Sequence, residues 1–100
     1  MPSSPRIIAA SAVQFIEPPH VEYPRQSRRS NEAGVVLVRA YIDAAGGAAR
    51  NVQVAKSSGF VRLDQAAVLA VQRARFKAHT ENGRPIEGWA LIPIDFELEM

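Results

Sequence analysis

Three stretches of the chain alternate apolar and polar residues, the pattern of a half-buried strand. The clearest runs from 34 to 43, where one face of an extended chain carries Val36, Val38, Ala40 and Ile42. A turn-forming stretch, Asp43 to Gly47, separates it from a second segment, 50–56, in which Val52 and Val54 are in phase. The two segments predict an antiparallel hairpin.

Residues 63 to 74 instead repeat apolar side chains at offsets of three and four, which predicts an amphipathic helix. The apolar stripe consists of Leu63, Ala66, Ala67, Ala70, Val71 and Ala74. Because alanines dominate it, we expect the helix to lie close to a sheet. Asp64 near the helix start suits the positive end of the helix dipole. Val68 and Leu69 point away from the stripe, either covering loops or forming a small contact patch.

A third alternating segment follows the polar loop that ends at Gly88. Its shared face carries Ala90, Ile92, Ile94, Phe96 and Leu98. Pro93 has no N–H to donate to a ladder, so this strand is expected at a sheet edge. If the helix is the crossover, the third strand returns parallel to the second, giving the order second, first, third. The predicted fold class is α+β, a three-stranded mixed sheet with one helix on one face.

The first quarter of the chain holds most of its prolines, which remove amide donors and favour extended backbone. They are Pro2, Pro5, Pro18, Pro19 and Pro24. We interpret residues 1–17 as a flexible linker and residues 18–100 as the folded domain. Within the linker, 12–16 alternates weakly and is equally compatible with a short strand and with no ordered element.

The free side of the third strand has two interpretations. Asp95, Glu97 and Glu99 are charges of the kind that protect an edge from unwanted pairing. The stretch from Trp89 to Ile94 stays apolar, which is typical of a docking edge for an extended peptide. These residues alone leave both interpretations open.

Composition limits the chain to one small domain and argues against nucleic acid as a partner. It has 100 residues, 47% of them apolar, and a net charge of +2. The bases are scattered, apart from Arg25–Arg29 and Arg73–Lys77, which are interpreted as solvated faces or as contacts to cell-wall polymer or an acidic patch. No stretch approaches the roughly 18 apolar residues of a membrane span.

Candidate chemistry is sparse. There is no cysteine, and His20 and His79 lack the spacing of a metal site. Ser57 and Ser58 precede a glycine but not in a nucleophile elbow, and we interpret them as turn formers. The sequence therefore predicts no catalytic residue, no metal and no cofactor, and a binding module rather than an enzyme.

The order of short motifs resembles the C-terminal domain of the TonB family. The resemblance covers roughly residues 18 to 98. It begins with Tyr23-Pro24, Ser27-Arg28-Arg29 and Glu32-x-Gly34-x-Val36-x-Val38, continues through Val54-x-Lys56-Ser57-Ser58-Gly59-Phe60, Leu63-Asp64-x-Ala66-Ala67 and Arg75-Phe76, and closes with Asn82-Gly83-x-Pro85 and Pro93-Ile94-x-Phe96. Ala74 and Ala78 depart from the family pattern, which leaves the course of residues 77 to 88 open.

The resemblance implies a periplasmic module of an energy transducer anchored in the inner membrane and driven by the ExbB and ExbD motor. Its partner would be the TonB box of outer-membrane transporters for siderophores, haem or cobalamin, added as a strand to the third-strand edge. The implied peptide-binding residues are Gly88, Trp89, Ala90, Leu91, Ile92, Pro93, Ile94, Asp95 and Phe96. The implied transporter-contact residues are Tyr23, Pro24, Arg25, Arg28 and Arg29. The alternative is a self-associating module of the cell envelope, with weak homodimers formed through strand edges.

Overall fold

The computed structural model describes residues 6 to 98, so the first five residues of the predicted linker and Glu99 and Met100 of the predicted domain lie outside it. Its elements, in chain order, are β1 (Arg6–Ile8), a 3-10 turn (Ala10–Ala12), β2 (Phe15–Glu17), α1 (Arg25–Arg29), β3 (Gly34–Ile42), β4 (Asn51–Lys56), α2 (Val61–Arg73), β5 (Arg75–Phe76), β6 (His79–Glu81), β7 (Arg84–Ile86) and β8 (Gly88–Phe96).

The main sheet has the order β1-β8-β3-β4. Long β3 lies between β4 and β8 and is antiparallel to both. The α+β class and the predicted order of the second, first and third strands are confirmed. The sheet is not three-stranded, however, because β1 adds in parallel beside the start of β8.

Sequence patterning missed β1 because the strand is too short to show alternation. Only one of its three side chains, Ile8, points into the core, where it is 2% exposed, whereas Ile7 is 73% exposed. A single buried residue after a proline gives no period to detect. The stretch interpreted as linker thus supplies a sheet strand.

Residues 12–16, where the sequence alternates weakly, do not form a single strand. The chain makes the 3-10 turn at 10–12, and β2 begins only at Phe15, where it pairs with β5. The rings of Phe15 and Phe76 lie 5.0 Å apart between centroids. This aromatic contact fixes the N-terminal segment to the exit of α2.

The core lies between the sheet and α2. The inward residues predicted for β3 and β8 are buried, except Leu98, which follows the end of β8 and is only partly buried. Of the helix stripe, Leu63, Ala67, Ala70, Val71 and Ala74 are buried. Ala66, also predicted for the stripe, is partly buried and packs against this core. The alanines bring the helix close to β3 and β4, as their small side chains predict.

Residues 79 to 86, whose course the sequence left open, form a second hairpin of β6 and β7. Its turn is Asn82-Gly83, with φ of 53° and 78°. Positive φ at both positions is the requirement of the tight hairpin turn that Asn-Gly favours. The hairpin approaches β1 through an ion pair between Arg6 and Glu81, at 3.4 Å.

Asp64 fastens the start of α2 to the loop before it. Its carboxylate accepts hydrogen bonds from the hydroxyl of Ser57, the N–H of Ser58 at 3.0 Å and the hydroxyl of Ser58 at 2.8 Å. Partial burial by itself raises the pKa of Asp64, but these hydrogen bonds outweigh burial and the net pKa is lowered. Ser57 and Ser58 therefore act as structural partners of the helix, consistent with turn formers.

Replacing Asp64 with alanine is expected to lower the free energy of unfolding by about 1–2 kcal/mol at neutral pH. Because the folded pKa is depressed, the contribution of the charge is complete above the unfolded pKa of about 3.9 and is lost as pH falls through the folded pKa. Urea unfolding of both proteins at several pH values measures this. A stability difference that stays constant from pH 7 to pH 2.5 would contradict the assignment.

Candidate functional site

The outer edge of β8 presents a row of main-chain groups whose direction the ladder determines. Arg50 donates its N–H to the carbonyl of Tyr41, so odd-numbered residues of β3 face β4 and even-numbered ones face β8. Each even residue of β3 lies opposite an even residue of β8. The odd residues of β8 therefore point their N–H and C=O groups away from β3. Pro93 falls in this outward set, where its missing N–H costs the sheet nothing.

The chain itself occupies the first part of this edge. β1 runs parallel to β8 in the register Arg6 to Gly88, Ile7 to Trp89 and Ile8 to Ala90. In a parallel pair of this register, the outward groups of Trp89 and the N–H of Leu91 are those that bond to β1. Three of the predicted peptide-binding residues, Gly88, Trp89 and Ala90, are thus already paired within this chain.

The rest of the edge has no strand partner among residues 6–98. Its outward groups are the carbonyls of Leu91 and Pro93 and both groups of Asp95. This stretch is rich in acceptors and has one donor, because Pro93 contributes none. Ile92, Ile94 and Phe96 are bonded inward to β3 and bury their side chains in the core. Within the predicted peptide-binding set, only the odd residues from Leu91 onward carry free main-chain groups.

A small aromatic cluster flanks the occupied part of the edge, on the sheet face opposite α2. Trp89 makes an edge-to-face contact with Tyr41, with 5.2 Å between centroids, and the guanidinium of Arg39 lies 4.9 Å from the Trp89 ring centroid. Partial desolvation, followed by the hydrogen bond and charge of the nearby Glu87 carboxylate, raises the pKa of Tyr41 above its ordinary value. The cluster holds the Trp89 side chain in place beside the edge.

The Tyr23-Pro24 motif lies at the far end of β8. The hydroxyl of Tyr23 donates to the carbonyl of Glu32, and its ring meets Phe96 edge-to-face at 5.4 Å. Pro24 is the N-cap residue of α1, and Arg28 of that helix lies over the Tyr23 ring at 5.5 Å. The structure therefore brings the motif to the open end of the β8 edge.

Beside this motif is a groove of about 990 Å³ between the segment 17–28 and the C-terminal half of α2. Tyr23, Pro24, Arg25 and Arg28 line it, and Arg73 lines it from the helix. Among residues 6–98 none of these three arginines is in an ion pair. Arg29 is exposed but does not line the groove. Four of the five predicted transporter-contact residues thus share one surface.

Leu69 and Val68, which the helical pattern left pointing outward, form an exposed apolar surface with Val54 and Val61. Leu69 is 46% exposed and Val61 70% exposed. Leu69 also lines the groove beside the segment 17–28, so the contact patch on the outer side of α2 stays a prediction.

Sequence reasoning missed two features of the site: β1, which produced no periodic signal, and the contribution of Arg73 to the groove. A run of two isoleucines after a proline-rich start was the single local signal for β1. Within the described part of the chain, no cluster of three histidines, aspartates or glutamates could hold a metal ion. No helix formed by residues 6–98 combines the length and apolarity that crossing a bilayer requires.

Comparison with known proteins places the chain in one family. The family model for the Gram-negative bacterial TonB protein C-terminal matches residues 19–98. Protein tonB2 of Pseudomonas aeruginosa is 40% identical over 84 residues, and Protein TonB of Vibrio cholerae is 36% identical over 77 residues. These matches cover 84% and 77% of this chain and 31% of each relative, so the chain spans about a third of their length.

The fold is also similar to the solution NMR structure of the Pseudomonas aeruginosa TonB CTD. The TM-score is 0.72 with 98% of each chain covered, at 21% identity, a likeness of fold alone. Family model, curated relatives and fold agree with the motif order from Tyr23-Pro24 to Phe96. The chain belongs to the family of Gram-negative bacterial TonB protein C-terminal domains.

Proposed function

We propose that this domain is the periplasmic peptide-binding module of a TonB-type energy transducer. It engages the TonB box of an outer-membrane transporter by strand addition to the edge of β8. In this role it couples the proton-motive force, delivered by ExbB and ExbD at the inner membrane, to uptake of siderophores, haem or cobalamin. The observation that carries the proposal is the row of outward main-chain groups from Leu91 to Asp95, without a strand partner in residues 6–98.

The chemistry of this row determines what it can bind. Carbonyls dominate its open part, so a visiting strand has to supply N–H donors, which an extended peptide without proline does. Each backbone hydrogen bond contributes a net of about 0.5–1.5 kcal/mol, less the cost of ordering the peptide. We therefore expect micromolar affinity, which permits the junction to be remade after each transport event.

Transporter contacts beyond the peptide are assigned to the groove beside Tyr23. Arg25, Arg28 and Arg73 make it positively charged at the open end of β8, although Glu17 and Glu22 also line it. An acidic surface next to the TonB box would complement the arginines. Such contacts between exposed charges weaken as salt screens them.

A proline at position 95 tests strand addition, since it removes the one outward N–H in the open part of the row. Asp95 points its main-chain groups away from β3, so Asp95→Pro leaves the β3–β8 ladder intact, as Pro93 already does. We expect about fivefold weaker binding of a TonB-box peptide, measured by calorimetric titration. The matched control Asp95→Ala removes the same carboxylate, keeps the N–H and separates charge from hydrogen bonding.

Amide chemical shifts of residues 88 to 98 locate the bound peptide in the same samples. Equal affinity of Asp95→Pro and Asp95→Ala, with shifts elsewhere on the domain, would refute addition at this edge.

Self-association through strand edges is the second candidate, since the same open row could receive a second copy. A mass that rises with protein concentration and does not respond to the peptide would favour it.

A further inference from the structure

The first half of the β8 edge is a binding site with a resident occupant. β1 pairs with residues 88–90 and thereby occupies the outward N–H groups of Trp89 and Leu91, which are most of the N–H donors in the row. A partner confined to the open half would find the single donor of Asp95. Full use of the edge therefore requires that β1 leave.

The inward side chains of β8 are small at this place. Gly88 and Ala90 are followed by Ile92, Ile94 and Phe96, so the start of the strand leaves a depression in the face that packs on the core. Ile8, opposite Ala90, fills that depression and is 2% exposed. An aliphatic side chain from outside β8 completes this part of the core.

Gly88 allows a neighbouring strand to pack directly against the backbone of β8. A Cβ at position 88 would lie 2.3 Å from the carbonyl oxygen of Arg6, well inside contact distance. Glycine here is needed for close approach and not for a left-handed φ, because Gly88 is not among the glycines with positive φ. The sequence of β8 is thus built to receive a strand at 88–90.

We propose that the depression filled by Ile8 is an aliphatic subsite of the binding edge, and that a partner strand docks by displacing β1 and placing its own aliphatic side chain there. The inference rests on the proposed function and adds the partner's chemistry: an extended segment, parallel to β8, with an aliphatic residue in the register of Ile8. A polar residue at that register would be buried without a hydrogen-bond partner.

If a partner strand displaces β1, the two compete for the same edge of β8. Two variants at neighbouring positions of β1 test this competition. Ile8→Ser weakens β1 docking, whereas Ile7→Ser changes an exposed side chain one position away. If β1 is docked in about 70–90% of molecules, releasing it tightens peptide binding roughly three- to tenfold. We expect this gain for Ile8→Ser and an unchanged dissociation constant for Ile7→Ser, in titrations with a TonB-box peptide.

Two further measurements keep the inference testable should Ile8→Ser fold poorly. In the unmodified chain, the NMR chemical shifts of the Ile8 methyl groups should change toward the values of a solvent-exposed isoleucine, in proportion to the peptide bound. A synthetic peptide of the sequence RIIAASA, residues 6–12, should bind the Ile8→Ser protein, and the same peptide with serine in the Ile8 position should not.

The outcomes distinguish this inference from the proposed function. If no TonB-box peptide binds any variant while RIIAASA binds Ile8→Ser, the subsite stands and the proposed function fails. If TonB-box peptides bind the parent and Ile8→Ser equally and the Ile8 methyls do not move, β1 is a permanent strand and the inference is overturned.

Discussion

Replacing Phe76 with alanine should lower the free energy of unfolding by about 3–5 kcal/mol, the largest stability effect that we expect in this domain. Phe76 has no exposed surface and is among the largest of the fully buried side chains. Its ring contacts Phe15, and its main chain exchanges two 2.8 Å hydrogen bonds with Gly47. Truncation therefore leaves a cavity where the N-terminal segment, the β3–β4 connection and the exit of α2 meet.

Urea unfolding measures this loss, provided that the dependence of the unfolding free energy on urea concentration is the same in both proteins. Phe15→Ala provides the matched control. Phe15 is only partly buried, so its truncation removes the same ring contact at less than half the cost. Equal losses in the two variants would show that the ring pair, and not burial of Phe76, carries the stability. A loss below about 1 kcal/mol for Phe76→Ala would refute the assignment of Phe76 to the core.

Replacing Gly88 with alanine should weaken binding of a TonB-box peptide about thirtyfold, the largest functional effect. The added methyl group meets the position of the Arg6 backbone, so it excludes any strand from the first half of the edge, resident or visiting. The peptide then loses roughly two hydrogen bonds, or about 2 kcal/mol. Calorimetric titration measures the change, and amide exchange at Leu91 reports whether β1 has left.

Gly88→Ala is most informative beside Ile8→Ser, because both release β1 but only the glycine variant obstructs the edge. We expect opposite changes in affinity from the two. Gly83→Ala serves as a control for strain away from the edge, because its Cβ meets no atom within 4 Å but its φ of 78° disfavours alanine, so it destabilises the β6–β7 turn without obstructing β8. Undiminished binding by Gly88→Ala would show that the peptide does not use the edge at residues 88–90.

Pairing with β1 also shortens the exposed edge of β8 to the second half of the strand. An unpaired strand edge invites aggregation unless it is short, charged or covered. β1 covers the half that is rich in donors, and Asp95 and Pro93 mark the half that stays open. Asp95, one of the predicted guard charges, therefore lies in the same half as the free main-chain groups, and docking at this edge stays a prediction.

The sequence by itself determined the parts whose cause is local and periodic. The alternation over 34–42 and 88–96 involves many side chains that all favour the same strand, and the three-to-four-residue repeat does the same for α2. These elements and their buried faces were therefore predictable. Pro93 by itself indicated that β8 lies near an edge. The motif order from Tyr23 to Phe96 indicated the family.

Only the tertiary structure decided what lies beside β8. β1 has three residues, and its one inward side chain is stabilised by a depression formed some 80 positions later in the chain, at Gly88 and Ala90. Arg73 reaches the groove of Arg25 and Arg28 through the packing of α2 in the same way. Such pairings depend on surfaces that exist only after the sheet has formed, and no local period encodes them.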